Sequence, residues 1–275
     1  MMNHIHDNQS NAPMQILYQD DAILVVQTHA GAFDKTNPDD LYGAFNLGLH
    51  VNDNPQQVLA NRAKLLSAIQ AITPVDAIYW LNQVHGDVVH DVDDATLGLV
   101  ADAADALMTN RSGIGLSIMT ADCVPIAMFD GQGGGIACIH AGWQGLTNGI
   151  IAKTVQRLHT NRSSLSAVIG ACISQAAYEI DRALADKICQ TVVSSSLVAM
   201  DYHSLFDTII MPSSDDKVHI DLTTLTKLQL AHQGVNIVDT PILCSYQTAS
   251  LYSYRAQTHA GKSATGRMAM VIIKK

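Results

Sequence analysis

Three side chains that bind metals or act as nucleophiles follow apolar segments of the 275-residue sequence. They are His85 in LNQVHGDV, Cys123 in TADCVP and His140 in HAGW, and a glycine or proline follows each of them within two residues. Two imidazoles and one thiolate leave a tetrahedral Zn²⁺ with one open position, as a catalytic zinc site requires. Separations of 38 and 17 residues along the chain fit no local zinc finger, so the fold must assemble any such site.

The same atoms support two other interpretations. Cys123 is a candidate nucleophile whose thiolate is stabilised by His140 or His85 acting as a base, which describes a cysteine-hydrolase dyad without metal. Alternatively, Cys123 is a small buried hydrophobic residue and the histidines are hydrogen-bonded core residues. The residue types alone leave the metal site, the dyad and the structural roles open.

Four further residues are candidates for catalysis or substrate binding. Asp122, beside Cys123, either orients a ligand and moves protons or caps a turn at a strand end. Arg255 and Arg267 are candidate anion-binding residues because the chain holds only 16 lysines and arginines, although arginine commonly pairs with a carboxylate instead. Tyr178 in AAYEID either contacts a substrate or covers the core.

Short apolar, β-branched runs alternate with a few helical patterns along the chain. The runs predict strands at Ala22–Thr28, Ala77–Leu81, Gly115–Met119, Pro125–Phe129, Gly135–His140, Ala167–Gly170 and Arg267–Ile273. The strongest helical pattern follows Asn54, which is the predicted N-cap; Pro55 lies in the first turn, and the apolar stripe comprises Val58, Leu59, Leu65, Leu66 and Ile69. Further helices are predicted at Leu146–Leu158, Arg182–Val193 and Leu222–His232, the last of them behind Asp221 as N-cap.

The order of these elements argues against a doubly wound parallel sheet, because several strands follow one another without a helix between them. It predicts a mixed α/β (α+β) fold, in which a mixed or largely antiparallel sheet system carries outer helices. The GQGGG segment at 131–135 lies between two strands and precedes no helix, so we interpret it as a hairpin turn. One domain is predicted over residues 14–275, after a flexible polar tail at residues 1–13.

Composition limits the classes of partner. Hydrophobic residues make up 48% and charged residues 15% of the chain, which is enough apolar surface for a substantial core. A formal net charge of −9 disfavours nucleic acids and anionic membranes as partners. Five cysteines without a CxxC pair, and no secretory signal or membrane-spanning run, predict reduced thiols in the cytoplasm.

The order of the motifs resembles that of the YfiH or laccase-domain family, also described as multicopper polyphenol oxidase-like and as purine nucleoside phosphorylases. The motifs are NQVHGDVV, ADALMTN, TADCVPIAMFD, HAGWQG, GACISQAAYEI, HIDL and the pair SYR and TGRMAMVI. The resemblance begins near Phe45 and continues to the end of the chain. It implies a compact α/β fold with a central mixed β-sandwich, related in shape to cysteine hydrolases.

The resemblance further implies a zinc site at the histidine of QVHG, the cysteine of ADC and the histidine of HAGW, which are His85, Cys123 and His140 here. The implied activities are phosphorolysis of adenosine, inosine, guanosine and methylthioadenosine, together with adenosine deamination. A purine nucleoside and phosphate are therefore the expected small-molecule substrates.

Other activities remain as alternatives. One is the hydrolytic editing of peptidoglycan precursors, with Cys123 or a metal-bound water as the attacking group. Copper-dependent phenol oxidation ranks lower, because type-one and trinuclear copper sites need several close histidines and an HxH pair occurs only at His4 and His6. A metal-stabilised protein that binds a partner without catalysis is the last alternative.

Four segments depart from the family pattern. The segment ahead of NLG reads QTHAGAF without its arginine, the arginine of HAGWRG is Gln144, and the second arginine of SYRR is Ala256. The pattern DLWxxN reads DLTTLT, without the aromatic residue. The substrate-binding residues expected in this chain are therefore Arg255, Arg267, Gln144 and Tyr178.

Overall fold

The computed structural model describes residues 12–94, 101–158, 164–214 and 216–275. Its strands are β1 Met14–Gln19, β2 Ile23–Thr28, β3 Ala77–Tyr79, β4 Val89–Asp91, β5 Ala106–Thr109, β6 Ile114–Thr120, β7 Val124–Asp130, β8 Ile136–Ala141, β9 Leu165–Ile169, β10 Glu179–Asp181, β11 Ile210–Pro212, β12 Lys217–Ile220, β13 Asn236–Ile237 and β14 Met268–Lys274. Its α-helices are α1 Pro55–Gln70, α2 Trp143–Thr147, α3 Ile150–Arg157, α4 Arg182–Ser194, α5 Tyr202–Ile209, α6 Leu222–His232 and α7 Tyr254–His259. Every predicted strand is present, with its ends shifted by no more than two residues.

A five-stranded sheet, in the order β1-β2-β14-β6-β3, has the C-terminal strand at its centre. Strand β14 pairs antiparallel with both β2 and β6, and β3 pairs parallel with β6. Met270 and Ile272 on one face of β14 and Val271 and Ile273 on the other face are all buried. The continuous apolar run near the C-terminus therefore reflects a strand that is covered on both faces.

A six-stranded sheet, in the order β13-β9-β7-β8-β5-β4, contains the glycine-rich GQGGG segment as a turn. Strands β7 and β8 pair antiparallel on either side of residues 131–135, which confirms the predicted hairpin. In this register Pro125 lies opposite His140, and Val124 lies opposite Ala141. The hairpin therefore brings the residue before β7 and the end of β8 to the same edge of the sheet.

The two sheets pack face to face as a β-sandwich. Side chains from both sheets, including Val25, Met270 and Cys138, share one buried core between them. Helix α1 covers the outer face of the five-stranded sheet through residues such as Leu65. Helices α2 to α6 and a small sheet ordered β10-β12-β11 cover the outer face of the six-stranded sheet. The predicted α+β sandwich with outer helices is confirmed.

Helices α1 and α6 begin as the sequence predicts. The side chain of Asn54 accepts hydrogen bonds from the amides of Gln56 and Gln57, and Asp221 caps α6 in the same way. Leu59, a member of the apolar stripe of α1 in the sequence, is 55% exposed in the structure. Helix α1 covers the sheet along a narrower stripe than the apolar pattern indicates.

The prediction of one continuous helix over Leu146–Leu158 is wrong. The segment forms two helices, α2 and α3, separated by Asn148 and Gly149. Gly149 has a left-handed backbone with φ of 77°, which ends the helical path and turns the chain before α3 begins.

The N-terminal tail predicted at residues 1–13 lies largely outside the described residues. Within them, Ala12 is buried and the carbonyl of Pro13 accepts a hydrogen bond from the amide of His29, so packing extends to these two residues. None of the helices in the described parts of the chain is long and apolar enough to cross a bilayer.

We expect Gly149→Ala to lower the free energy of unfolding by about 1–2 kcal/mol, because alanine is strained in a left-handed backbone. The added Cβ would also lie 3.1 Å from Cδ2 of Leu197. Gly234→Ala is the matched control, since its φ is 74° and a Cβ added there would have no heavy atom within 4 Å. Thermal unfolding of both variants separates backbone strain from the contact, and an unchanged midpoint in both would contradict the strain.

Candidate metal centre

The three predicted ligands converge at one edge of the sandwich. Cys123 immediately precedes β7, and His140 lies in β8 on the neighbouring strand. His85 comes from the turn between β3 and β4, where its backbone is left-handed with φ of 59°. Their potential ligand atoms all lie within 4.8 Å of one another. Among the described residues, no other group of three such side chains converges in this way.

A buried carboxylate, Asp105, holds two of these ligands in place. It lies just before β5 with no exposed surface, and Oδ1 is 2.8 Å from Nδ1 of His140. The same side chain accepts hydrogen bonds from the backbone amides of Val84, His85 and Gly86, at 3.3, 3.0 and 2.6 Å. Asp105 therefore fixes the turn that carries His85 and the ring of His140 at once.

The bond from His140 to Asp105 also selects the nitrogen that faces the other ligands. When Nδ1 of His140 donates its proton to the carboxylate, the lone pair of Nε2 is free to bind a metal. Metal-binding histidines commonly donate their second nitrogen to a carboxylate in this way. The donor set of His85, Cys123 and His140 therefore fits a metal with an open position.

The HAGW motif needs a glycine at position 142 because two of the candidate ligands lie close to its backbone. A Cβ at this position would lie 3.1 Å from Sγ of Cys123 and 3.4 Å from Cδ2 of His85. The first distance is shorter than ordinary van der Waals contact, so any larger residue would push against the cysteine. The absence of a side chain at Gly142 therefore lets the ligands approach one another.

The charges of the ligands stabilise one another in the absence of metal. Burial opposes ionisation of Cys123, but the charge of His140 and hydrogen bonds from His140 and His85 lower the pKa of the thiol below its ordinary value. Burial likewise opposes the charge of His140, whereas the Cys123 thiolate and Asp105 raise its pKa. The thiolate is the form of cysteine that binds metals and also the form that acts as a nucleophile.

A cavity of about 480 Å³ opens over the three ligands. All eight residues that the sequence predicts for the site line this cavity: His85, Asp122, Cys123, His140, Gln144, Tyr178, Arg255 and Arg267. The structure brings them together from segments spread over more than half of the chain. Their individual roles in binding and catalysis remain predictions.

Asp122 has a structural partner for each carboxylate oxygen. Oδ1 accepts a hydrogen bond from Oγ of Ser245 at 2.6 Å, and Oδ2 accepts one from the backbone amide of Arg255 at 2.7 Å. Burial raises the pKa of this carboxyl. Asp122 therefore ties the start of α7, which carries Arg255, to the backbone beside Cys123.

The two candidate anion-binding arginines differ in their surroundings. Nη1 of Arg255 donates to the carbonyl of Glu179 at 2.7 Å, and its guanidinium lies 5.0 Å from the ring centre of Tyr178. Nη1 of Arg267 donates to the carbonyls of Thr265 and Gly266, at 3.0 Å each. In the described residues, neither guanidinium forms an ion pair with a carboxylate within 4 Å. Gln144, in the first turn of α2, is exposed.

Sequence reasoning missed several residues of the site, including Asp105, His50 and Thr120. Asp105 belongs to the ADALMTN motif, but an aspartate before a short strand carries no signal for burial. His50 and Thr120 also line the cavity. The surrounding protein atoms and the positive charges of Arg267 and Arg62 lower the pKa of His50 to about 4. The position of Thr120 at the end of an apolar run is the one signal that the sequence offered for it.

We expect Asp105→Asn to weaken metal binding about 10–100-fold, because the amide does not hold the ring of His140 and the turn of His85 as the carboxylate does. Zinc affinity is measured by competition with a chromophoric chelator. Asp93→Asn is the control, since Asp93 bonds Thr109 and Asn110 on the same sheet away from the ligands. Equal affinity of Asp105→Asn and the wild type would contradict this role.

The fold and the cavity have counterparts among known proteins. Residues 24–275 match the family model described as multi-copper polyphenol oxidoreductase laccase. A Corynebacterium glutamicum protein named purine nucleoside phosphorylase is 32% identical over 244 residues, which cover 87% of this chain and 91% of the relative. The Escherichia coli purine nucleoside phosphorylase YfiH is 30% identical over 232 residues, which cover 84% and 86%.

A solved structure agrees with these sequence matches. The crystal structure of a Neisseria meningitidis protein of the DUF152 family has a TM-score of 0.75 and 26% identity, covering 95% of this chain and 99% of that one. The family match extends over most of the chain and includes every residue of the candidate metal centre. The chain therefore belongs to the multi-copper polyphenol oxidoreductase laccase family, to which the YfiH proteins also belong.

Proposed function

We propose that this protein is a zinc-dependent purine nucleoside phosphorylase that also deaminates adenosine. The observation that carries the proposal is the convergence of His85, Cys123 and His140 beneath a cavity. This cavity also holds two arginines whose guanidinium groups form no ion pair in the described residues. The names of the relatives support purine nucleosides as the substrate class.

The cavity suits a nucleoside in size and in lining. A volume of about 480 Å³ lies within the range of small-molecule sites. Trp143, Tyr178 and Tyr254 line it and offer aromatic faces on which a purine can stack. Arg255, above the ring of Tyr178, keeps a cation beside this aromatic surface. These side chains are proposed to bind and orient the nucleoside.

Phosphorolysis needs cationic and hydrogen-bonding groups around phosphate. An oxygen of phosphate forms a bond to C1′ of the ribose while the bond from C1′ to the purine nitrogen breaks, and the purine leaves with that electron pair. Arginines that are not neutralised by carboxylates hold an oxyanion through several charge-assisted hydrogen bonds. Arg255 and Arg267 supply such groups even though Gln144 and Ala256 replace arginines of the family pattern.

Deamination uses the same cavity with water in place of phosphate. Zinc bound at His85, Cys123 and His140 would act as a Lewis acid and bring the pKa of a water near neutrality. The oxygen of the water would form a bond to C6 of the adenine while the bond from C6 to the amino nitrogen breaks. Asp122 is proposed to carry a proton from the water to that nitrogen, which leaves as ammonia. Burial raises the pKa of this carboxyl, which favours its protonated form relative to an exposed aspartate.

Two alternatives receive less support from the site. A cysteine–histidine dyad needs one histidine beside Cys123, whereas two histidines converge on it here. Type-one and trinuclear copper centres need several clustered histidines, and the described residues bring only His85 and His140 together with one cysteine. We therefore rank hydrolysis by a metal-free Cys123, and phenol oxidation, below zinc chemistry.

The products formed from adenosine test the two proposed reactions. With zinc-loaded protein we expect adenine and ribose 1-phosphate only when phosphate is present, and inosine in its absence. Chromatography of the reaction mixture separates the products. If neither adenine nor inosine forms with fully zinc-loaded protein, the proposed function is wrong.

We expect His85→Ala to lose stoichiometric zinc and to lower both rates by at least about 100-fold, because the ligand set is then incomplete. Elemental analysis and the product assay are carried out on the same preparation. His232→Ala is the control, since His232 is exposed at the end of α6. Full activity of a metal-free wild-type protein would instead support the cysteine–histidine dyad.

A further inference from the structure

One part of the cavity wall is formed by residues that belong neither to the ligand trio nor to the aromatic surface. His50, Thr120 and Arg267 line the same cavity as the metal ligands. Each presents a group that donates hydrogen bonds, and no carboxylate forms an ion pair with Arg267 in the described residues. This combination suits an anion that accepts several hydrogen bonds.

The hydroxyl of Thr120 has no partner within the described part of the chain. The residue is 2% exposed, and its Oγ1 makes no hydrogen bond there. A buried hydroxyl without a partner destabilises a fold, so such groups are uncommon unless a ligand or water satisfies them. Because Thr120 lines the cavity, a molecule bound there is a candidate partner for this hydroxyl.

Arg267 is fixed in position before any ligand arrives. Its backbone amide donates to Oδ1 of Asn46 at 2.8 Å, and one nitrogen of its guanidinium donates to two nearby carbonyls. The side chain passes close to Gly48, where a Cβ would lie only 2.8 Å from Cγ of Arg267. Among the described residues, Nε and Nη2 make no bond to a carboxylate and keep their donors for a ligand.

A second arginine, Arg62, places its positive charge near this part of the cavity wall. Arg62 donates from Nε and Nη2 to the carbonyl of Leu47, at 3.0 and 2.8 Å, and its guanidinium lies 3.9 Å from the ring centre of Trp80. The positive charges of Arg62 and Arg267 both act on His50. Two arginines thus concentrate positive charge beside the cavity in a chain whose net charge is −9.

We propose that Arg267, His50 and Thr120 form the binding subsite for inorganic phosphate, the co-substrate of phosphorolysis. The inference rests on the proposed function. A phosphate oxygen pair accepts from the guanidinium of Arg267, while the imidazole N–H of His50 and the hydroxyl of Thr120 donate to the remaining oxygens. In this subsite, phosphate is bound by residues other than Gln144 and Ala256, which replace arginines of the family pattern.

Thr120→Val tests the subsite with little change in shape. In zinc-loaded protein we expect it to raise both the Kd for inorganic phosphate, measured by isothermal titration calorimetry, and the KM for phosphate about tenfold, the effect of one lost hydrogen bond. The KM for adenosine should change by less than about twofold. The unfolding midpoint should not fall, because valine removes a hydroxyl that has no partner in the described residues.

Thr226→Val is the matched control. Thr226 is fully buried in α6, its Oγ1 also lacks a hydrogen-bond partner in the described residues, and it does not line the cavity. We expect no change in phosphate binding from this variant. Arg267→Gln should raise the phosphate Kd about 100-fold or more, and Arg267→Lys should restore part of the loss.

The outcomes separate the subsite from the proposed function. If variants at Thr120 and Arg267 weaken phosphate binding but no nucleoside is cleaved, the subsite stands and the proposed function fails. If phosphorolysis proceeds and the phosphate KM is unchanged in both variants, the subsite is wrong and the function stands. A parallel titration with AMP identifies the source of the phosphate group: an effect of the variants on AMP alone would overturn the assignment to inorganic phosphate.

Discussion

The buried carboxylate of Asp105 is the constraint on which the site depends. A carboxylate without exposed surface needs several donors to offset its lost hydration, and Asp105 obtains them from three consecutive backbone amides and one imidazole. The turn that supplies the amides and the strand β8 that supplies the imidazole are not paired with each other in either sheet. The hydrogen bonds that this buried charge requires therefore hold the turn and the strand at a fixed separation.

The sandwich supplies the rigid frame and the loops supply the chemistry. Cys123 and His140 stand at the ends of strands whose inner and outer faces are both packed, so neither backbone can shift without disturbing a core. Arg255 and Tyr254 come from the start of α7, which Asp122 ties to the same edge, and Arg267 comes from the connection that follows this helix. A chain with a net charge of −9 thereby holds two arginines in the cavity over its candidate metal ligands.

The sequence alone was sufficient for residues whose role is visible in local pattern. Cys123 and His140 end consecutive apolar runs around a glycine-rich turn, and that pattern predicts a hairpin that brings them together. Asp105 was not predictable, because its burial arises from contacts with a turn some twenty residues away. Gly149 was missed for a different reason: a single glycine is tolerated in a helical pattern, and its left-handed backbone shows only in the structure.

The alignment of β7 with β8 also determines whether the candidate ligands Cys123 and His140 lie together, which distinguishes a correctly aligned sheet from a misaligned one. Side chains alternate between the faces of a strand, so a slip of one residue would turn His140 to the opposite face and replace it by a neighbour without a ligand atom. Only the alignment that places Pro125 opposite His140 leaves Cys123 and His140 together at the edge. Metal binding would therefore stabilise the correctly aligned hairpin relative to its slipped alternatives. A bound metal would in this way select the native register of β7 and β8.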